Sequence, residues 1–170
     1  MASDKIKFTK KAITYLKADV LFSYTNSDFI PLHGGVLGRL FALDAGLVVE
    51  CAHANPKPGT AMVLGPSKLP YKEVCHFAIA GIGNDPTEMS IRNAMRWGFQ
   101  LMCDRQRATY VLPALNEDSG GMPCALAAEI VLREAMIFAT NTFVEEISIQ
   151  TKDKNEYSEY KAAYKRLVEK

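Results

Sequence analysis

Short apolar runs of strand length alternate with longer segments of helical periodicity, and this alternation limits the fold more than any other feature of the chain. The predicted strands are Lys5–Lys10, Val20–Thr25, Gly59–Leu64, Glu73–Ile79, Thr109–Leu115 and Glu146–Thr151. The predicted helices are Gly34–Leu47, Leu47–Ala54, Pro86–Asp104, Met122–Ala139 and Asn155–Val168. This order of elements is typical of an α/β fold, in which helices cover a mostly parallel sheet.

In two of the predicted helices, particular side chains indicate where the helix begins or which side of it is buried. Asp85 has the side chain of an N-cap, Pro86 suits the first helical position, and Glu88 stands where a capping-box variant places its acidic residue. The sequence therefore predicts a helix that begins at Pro86 and is capped by Asp85. The last helix carries three tyrosines, at positions 157, 160 and 164, which we expect to pack in the core rather than on another chain.

Composition excludes several classes of protein. The chain has 170 residues, 20 Lys and Arg against 19 Asp and Glu, and a formal net charge of +1. We expect residues 1–170 to form a single globular domain. The balanced charge provides no basic field, so neither nucleic acid nor an anionic membrane is an expected partner. No apolar stretch reaches the ~18–20 residues of a membrane span, and the polar N-terminus has no signal-peptide core, so we expect a cytoplasmic or nuclear protein.

The cysteines and histidines indicate core packing rather than chemistry. The four cysteines, at positions 51, 75, 103 and 124, form no CxxC pair and are expected to be free thiols. Cys75 and His76 are neighbours on a predicted strand and face opposite sides of the sheet, which excludes a Cys–His dyad. We expect a packed Cys75 and a hydrogen-bonded His76. His33 and His53 lack metal-ligand spacing, so neither a metal nor another cofactor is expected.

Two loops lead from a predicted strand into a helix, where ligands bind in α/β sheets. The first, Asn26–Val36, has the sequence NSDFIPLHGGV. Gly34 and Gly35 let backbone N–H groups approach an anion, and the N-terminus of the following helix favours negative charge. The alternative is that the glycines only form a tight turn, because the motif is neither GxGxxG nor a P-loop.

The second loop, Asn116–Pro123, has the sequence NEDSGGMP. Its glycines and its position suit a ligand, but Glu117 and Asp118 would repel a phosphate. The two carboxylates could instead bind a metal or act in acid–base chemistry. The remaining alternative is an acidic loop that is only solvated.

In their order along the chain, these motifs resemble those of the macro domain family. The matching segments are KKAIT (Lys10–Thr14), FSYTN (Phe22–Asn26), HGGV (His33–Val36), GTAMVLGPSKLP (Gly59–Pro70), VCH (Val74–His76) and PALNEDSGGMP (Pro113–Pro123). The resemblance implies a three-layer α/β/α fold with a mixed, mostly parallel central sheet. It also implies an ADP-ribose cleft at the strand ends, with the two loops described above as its phosphate-binding loops.

Family positions that bind the ligand can be carried over to this sequence. The implied ligand-binding residues are Asn26, His33, Gly34, Gly35, Val36, Asn116, Asp118, Ser119, Gly120 and Gly121. Asn26 would contact the distal ribose, and the glycine backbone would face the phosphates.

Other family positions are changed. The Asp that contacts the adenine amino group falls on Ala12, whose methyl group accepts no hydrogen bond. The first Asn of the strand-end motif falls on Ser23. The Asp that follows the glycines in MacroD-type hydrolases falls on Leu37, which cannot activate water, so MacroD-type hydrolysis is not expected. The aromatic residue that often stacks in the cleft is absent near Thr151–Asp153.

Three functions remain open, of which the first is our preferred hypothesis. The chain is a binding module for ADP-ribose, a related nucleotide or an ADP-ribosylated protein, without turnover. Alternatively, it is an enzyme that removes ADP-ribose or hydrolyses a related phosphate ester, with Glu117, Asp118 or His33 as weak acid–base candidates. In the third hypothesis, a degenerate macro fold serves protein–protein contact and its cleft no longer takes ADP-ribose.

Overall fold

The computed structural model describes residues 1–30, 35–66, 68–116 and 119–170. Within them, the strands are β1 (Ile6–Thr9), β2 (Val20–Asn26), β3 (Ala61–Val63), β4 (Glu73–Ala80), β5 (Thr109–Pro113) and β6 (Glu146–Gln150). The α-helices are α1 (Val36–Leu43), α2 (Ala45–Cys51), α3 (Glu88–Arg105), α4 (Cys124–Phe138) and α5 (Lys154–Val168). Two short 3₁₀ helices cover Ala2–Lys5 and Ile13–Tyr15.

The strands form one sheet in the order β1-β6-β5-β2-β4-β3. All neighbouring strands are parallel except β3 and β4, which are antiparallel. Helices α3 and α4 pack on the face of the sheet that carries Phe22, Phe77 and Tyr110, and α5 packs beside α4. The right-handed connection that is the rule for parallel strands places α1 and α2 on the opposite face. The predicted three-layer α/β/α fold with a mixed, mostly parallel sheet is therefore confirmed.

A crevice forms where β2 and β5 lie side by side. The chain leaves β2 towards β4 and leaves β5 towards β6, so the two connections run in opposite directions from adjacent strands. The ladder between the two strands covers only Val20–Leu21 and Tyr110–Val111, at their amino ends. Open sheets bind ligands at this kind of switch point, outside the carboxyl ends of the strands.

An aromatic cluster holds β2, β4 and β5 against the α3–α4 layer. The Phe22 ring stacks on Phe77 at 4.8 Å between centroids and on Tyr110 at 5.6 Å. Phe99 of α3 stacks on Phe138 of α4 at 4.4 Å. A side chain at Gly98 would overlap the Phe77 ring, so α3 needs a glycine here to approach the sheet this closely.

Two predicted helix boundaries are wrong. The first helix does not continue to Leu47, because α1 ends at Leu43 and Asp44 caps α2 by accepting the Leu47 N–H at 3.2 Å. The cap of α3 is Thr87, not Asp85, and Pro86 precedes the helix. Thr87 and Ser90 form a reciprocal capping box, and the Ser90 hydroxyl also donates to the Ile79 carbonyl at 2.6 Å.

Of the three α5 tyrosines expected in the core, Tyr160 is fully buried, whereas Tyr157 and Tyr164 are partly exposed. The Tyr160 hydroxyl bonds to the backbone N–H and carbonyl of Leu115. His76 is also fully buried, but the expected hydrogen bond is absent, because neither ring nitrogen has a partner of normal geometry among the described residues. All four cysteines are free thiols. Among the described helices, none has the length and apolarity needed to cross a membrane.

Candidate functional site

A cavity of about 430 Å³, here called the outer cavity, opens at the carboxyl edge of the sheet. Its floor is the end of β6 and the turn after β1, and the last turn of α1 forms its wall. The polar and turn residues that line it are Lys10, Ala12, Thr14, Arg39, Gln150 and Lys152. Volumes of roughly 300–1,000 Å³ are typical of small-molecule sites, so the cavity has room for a nucleoside-sized group.

A narrower site adjoins the outer cavity and is called the glycine-loop site. It lies between the start of α1, at Gly35 and Val36, and the loop after β5, at Ala114 and Asn116. Arg39, Lys152 and Glu156 complete its lining. Arg39 and Lys152 line both spaces, so the two are adjacent. The site holds about 10 Å³ of free volume, room for about one water molecule, so a larger ligand requires side-chain movement.

The structure brings together three of the predicted binding residues. Gly35 is the N-cap of α1 and has no side chain to cap it, and Val36 is the first residue of the helix. A helix N-terminus of this kind favours an anion. Asn116 faces both residues across the glycine-loop site. Four further predicted residues, His33, Gly34, Glu117 and Asp118, lie outside the described residues.

Asn26 does not share the glycine-loop site. It lines a separate small cavity of about 10 Å³ with Leu37, Ile79 and Pro86 among its neighbours. The Asn26 side-chain oxygen accepts the backbone N–H groups of Asp28 at 3.2 Å and of residue 30 at 3.1 Å. This amide therefore closes the turn at the end of β2.

The remaining residues of the second loop have structural partners. The buried Ser119 hydroxyl donates to the Asn116 carbonyl at 2.5 Å. Gly120 and Gly121 have φ angles of +66° and +87°, which favour glycine. A Cβ at Gly120 would lie 2.7 Å from Oδ1 of Asp85. Within the described part of the chain, these three residues line neither the outer cavity nor the glycine-loop site.

A buried carboxylate that sequence reasoning missed joins the loop after β5 to the segment after β6 beside the glycine-loop site. Glu156 is 4% exposed. Its Oε2 accepts the side-chain amide of Asn116 at 3.2 Å, and its Oε1 accepts the Lys152 N–H at 2.9 Å. Asp153 caps α5 by accepting the Glu156 N–H at 2.8 Å. The only sequence signal for Glu156 is this cap spacing, an Asp followed three residues later by a Glu.

Sequence reasoning also missed the cations of the outer cavity. Lys10, Arg39 and Lys152 come from three segments that are distant in sequence. Arg39 stands four residues after Gly35, one helical turn away, and this spacing is the one local signal for it. No acidic side chain is among the described residues that line the cavity. The described residues also contain no cluster of three potential ligands for a metal ion.

Cys75 and His76 lie away from these spaces and on opposite sides of the sheet, as predicted. Cys75 faces α3 at Gly98, and burial raises the pKa of its thiol well above the usual range. The His76 ring lies edge-on to Phe29 at 5.2 Å between centroids. Burial lowers the pKa of His76 to about 4, an effect that the Leu64 backbone offsets only in part. The pair forms no dyad.

Comparison with known proteins agrees with this geometry. A family model described as Macro domain matches residues 26–131. An Oceanobacillus iheyensis macrodomain with ADP is 21% identical, with a TM-score of 0.82, over 95% of this chain and 90% of that one. A Trypanosoma brucei macrodomain in complex with ADP-ribose is 20% identical, with a TM-score of 0.79, and the match covers 96% of this chain and 69% of that one. In another crystal form of the T. brucei protein, at 20% identity and a TM-score of 0.79, the match covers 93% of this chain and only 66% of that one.

Proposed function

The chain belongs to the macro domain family, and on this basis we propose that it is a binding module for ADP-ribose or for the ADP-ribosyl group of a modified protein. We propose further that it does not catalyse hydrolysis of the MacroD type. The observation that carries the proposal is that the glycine-loop site, between the start of α1 and the loop after β5, adjoins the outer cavity and shares Arg39 and Lys152 with it. Relatives solved with ADP and with ADP-ribose support this choice of ligand class.

The charges around the glycine-loop site suit a diphosphate. The start of α1 at Gly35 and Val36 provides the positive end of a helix dipole, and Arg39 and Lys152 provide two cationic side chains. The Glu156 carboxylate also lines this site, but both of its oxygens already accept hydrogen bonds from protein N–H groups. These bonds disperse its charge and reduce its repulsion of a phosphate.

The surroundings of Asn26 support binding without hydrolysis. Leu37 is 1% exposed and lines the small cavity beside Asn26, together with Ile79 and Pro86. None of these three side chains can take a proton from water. The acid–base candidates His33, Glu117 and Asp118 lie outside the described residues, and the hydrolysis experiment below tests them together.

Titration calorimetry with ADP-ribose, with AMP and ADP as controls, tests the binding proposal. We expect micromolar ADP-ribose binding, and at 100 times the dissociation constant the ligand should stabilise the fold by about 2.7 kcal/mol. Absence of heat at millimolar ligand would overturn the proposal and favour a role in protein contact.

A second experiment tests the absence of turnover. The chain is incubated with a mono-ADP-ribosylated protein, and free ADP-ribose is measured beside a sample without the chain. We expect the modified protein to be retained and no ADP-ribose to be released above background. Release that is lost in Glu117→Gln or Asp118→Asn would contradict the proposal and identify the acid–base residue.

A further inference from the structure

Among the described residues, the charged side chains that line the outer cavity are all cationic. Lys10, Arg39 and Lys152 contribute three cationic groups, and no carboxylate lines the cavity among the described residues. Arg39 and Lys152 are shared with the glycine-loop site, so Lys10 is the cation that belongs to the outer cavity alone. Its ammonium lies 5.3 Å from the centroid of the Tyr157 ring, a cation–π contact that holds the charge beside the cavity.

Backbone acceptors at the floor of the cavity are already engaged. The carbonyl of residue 11 accepts the Gln150 side-chain amide at 3.3 Å, and the Ala12 carbonyl accepts the Tyr15 N–H at 2.9 Å. The Ile13 carbonyl accepts the Tyr71 hydroxyl. A ligand group that only donates hydrogen bonds, such as an exocyclic amine, meets only neutral acceptors among the described residues, such as the Thr14 hydroxyl and the Gln150 amide oxygen. An anionic group meets several donors, and charge-assisted bonds of this kind are the strong ones.

From this chemistry we propose that the outer cavity selects nucleotides that carry an additional phosphate monoester on the ribose of the nucleoside half. The inference rests on the proposed function for the position of the rest of the ligand. With its diphosphate at Gly35 and Asn116, the nucleoside half extends into the outer cavity, because the two spaces adjoin at Arg39 and Lys152. The phosphate monoester then lies among Lys10, Arg39 and Lys152, and Lys10 makes the contact that an unphosphorylated ligand does not use.

Calorimetry with matched ligand pairs tests the proposal. ADP-ribose is compared with 2′-phospho-ADP-ribose, and AMP with adenosine 2′,5′-bisphosphate and adenosine 3′,5′-bisphosphate. We expect at least one phosphorylated ligand of each pair to bind about tenfold more tightly than its partner, with a gain that shrinks as salt is raised. The two bisphosphates distinguish a 2′-phosphate from a 3′-phosphate.

Two variants and one control connect the effect to the cavity. Lys10→Gln should remove most of the gain, measured as the ratio of affinities within each ligand pair in the same variant. Lys7→Gln removes an exposed lysine of β1 that does not line the cavity and should keep the gain. Ala12→Asp adds a carboxylate to the floor and should reverse the preference, because it accepts from an amine and repels a phosphate.

The outcomes separate this inference from the proposed function. Equal or weaker binding of every phosphorylated ligand, or an undiminished gain in Lys10→Gln, would overturn the inference while ADP-ribose binding stands. If ADP-ribose does not bind, the proposed function fails, and the bisphosphates alone decide the inference. Bisphosphate binding that is weakened in Lys10→Gln would support a phosphate-selective cavity that acts independently of ADP-ribose. Absence of such binding would overturn the inference as well.

Discussion

The side-chain amide of Asn116 donates a hydrogen bond to Oε2 of Glu156 at 3.2 Å, which joins the loop after β5 to the first turn of α5. The other oxygen of the carboxylate accepts the Lys152 N–H at 2.9 Å. One buried side chain therefore sets the relative position of two residues that line the glycine-loop site. Disturbing it should change both folding and ligand binding.

Glu156→Ala is expected to lower the free energy of unfolding by about 1–3 kcal/mol, because it leaves the Asn116 amide and the Lys152 N–H without their partner. ADP-ribose should also bind at least several-fold more weakly. Urea unfolding and calorimetry measure the two effects. Glu156→Gln, which keeps an acceptor for Lys152, should be intermediate. Glu169→Ala, at the exposed end of α5, serves as the control and should change neither quantity. Unaltered ligand affinity in Glu156→Ala would contradict a positioning role.

His76 should make folding stability fall in mild acid. Its pKa is lowered to about 4 in the folded chain against an ordinary value of 6.5, so the unfolded state binds more protons between these values. Neutral His76 makes its full contribution to the free energy of unfolding above pH 6.5. This contribution is lost as the pH falls towards 4, by about 3 kcal/mol in total. Urea unfolding from pH 7 to pH 4 measures the loss. His76→Leu should flatten the curve in this window, whereas His53→Gln, at an exposed site, should not. A parallel decline in wild type and His76→Leu would refute the assignment.

Asp19 should stabilise the fold without affecting the ligand. It lies at the amino end of β2, where it pairs with Lys72 at 2.7 Å and accepts the N–H groups of Ala108 and Thr109. The Lys72 hydrogen bond is the largest cause of a pKa lowered to about 2 from 3.8, so the stabilisation is present above pH 3.8 and is lost as the pH falls through 2.

Asp19→Asn should therefore cost about 2 kcal/mol at pH 7. The affinity for ADP-ribose should not change, because the site lies at the opposite edge of the sheet. Urea unfolding and calorimetry at pH 7 provide both readings. Asp104→Asn, at the exposed end of α3, is the matched control. A loss of ligand affinity in folded Asp19→Asn would show that the two edges are coupled.

The two loop glycines should differ in their tolerance of a side chain. Both have positive φ, so alanine at either position should cost about 1 kcal/mol. Only Gly120 also faces Asp85, whose Oδ1 would lie 2.7 Å from a new Cβ, whereas a Cβ at Gly121 meets open space. Gly120→Ala should therefore be the more destabilising variant in thermal unfolding. Adding Asp85→Ala should recover the difference, and equal costs for the two single variants would contradict this packing.

Much of the fold could be predicted because burial periodicity is a local property. The second strand, predicted as Val20–Thr25, is observed as Val20–Asn26, and the fourth predicted helix differs from α4 by only one or two residues at each end. The break at Asp44 could not be predicted in this way. Its carboxylate accepts the backbone N–H of Lys68 at 2.9 Å, a contact across 24 residues that no local pattern contains.

Less of the candidate site could be predicted. The glycine-rich loops and the end of β2 were found because glycine before a helix has a recognisable composition, and the structure places Gly35, Val36 and Asn116 around one site. Asn26 lies in a different cavity, because its side chain is bound to the turn that follows it. The contributions of Lys10, Arg39 and Glu156 depend on neighbours that are far away in sequence.

Side-chain periodicity and short motifs were enough to establish the order of strands and helices, the α/β class and the family resemblance. Which cations and carboxylates meet depends on how the chain packs in three dimensions. The order β1-β6-β5-β2 brings the turn at Lys10, the segment after β6 at Lys152 and the start of α1 to one edge of the sheet. Charge and hydrogen bonding act over a few ångströms of space, whatever the separation along the chain, so the chemistry of the site follows from the packing of the sheet.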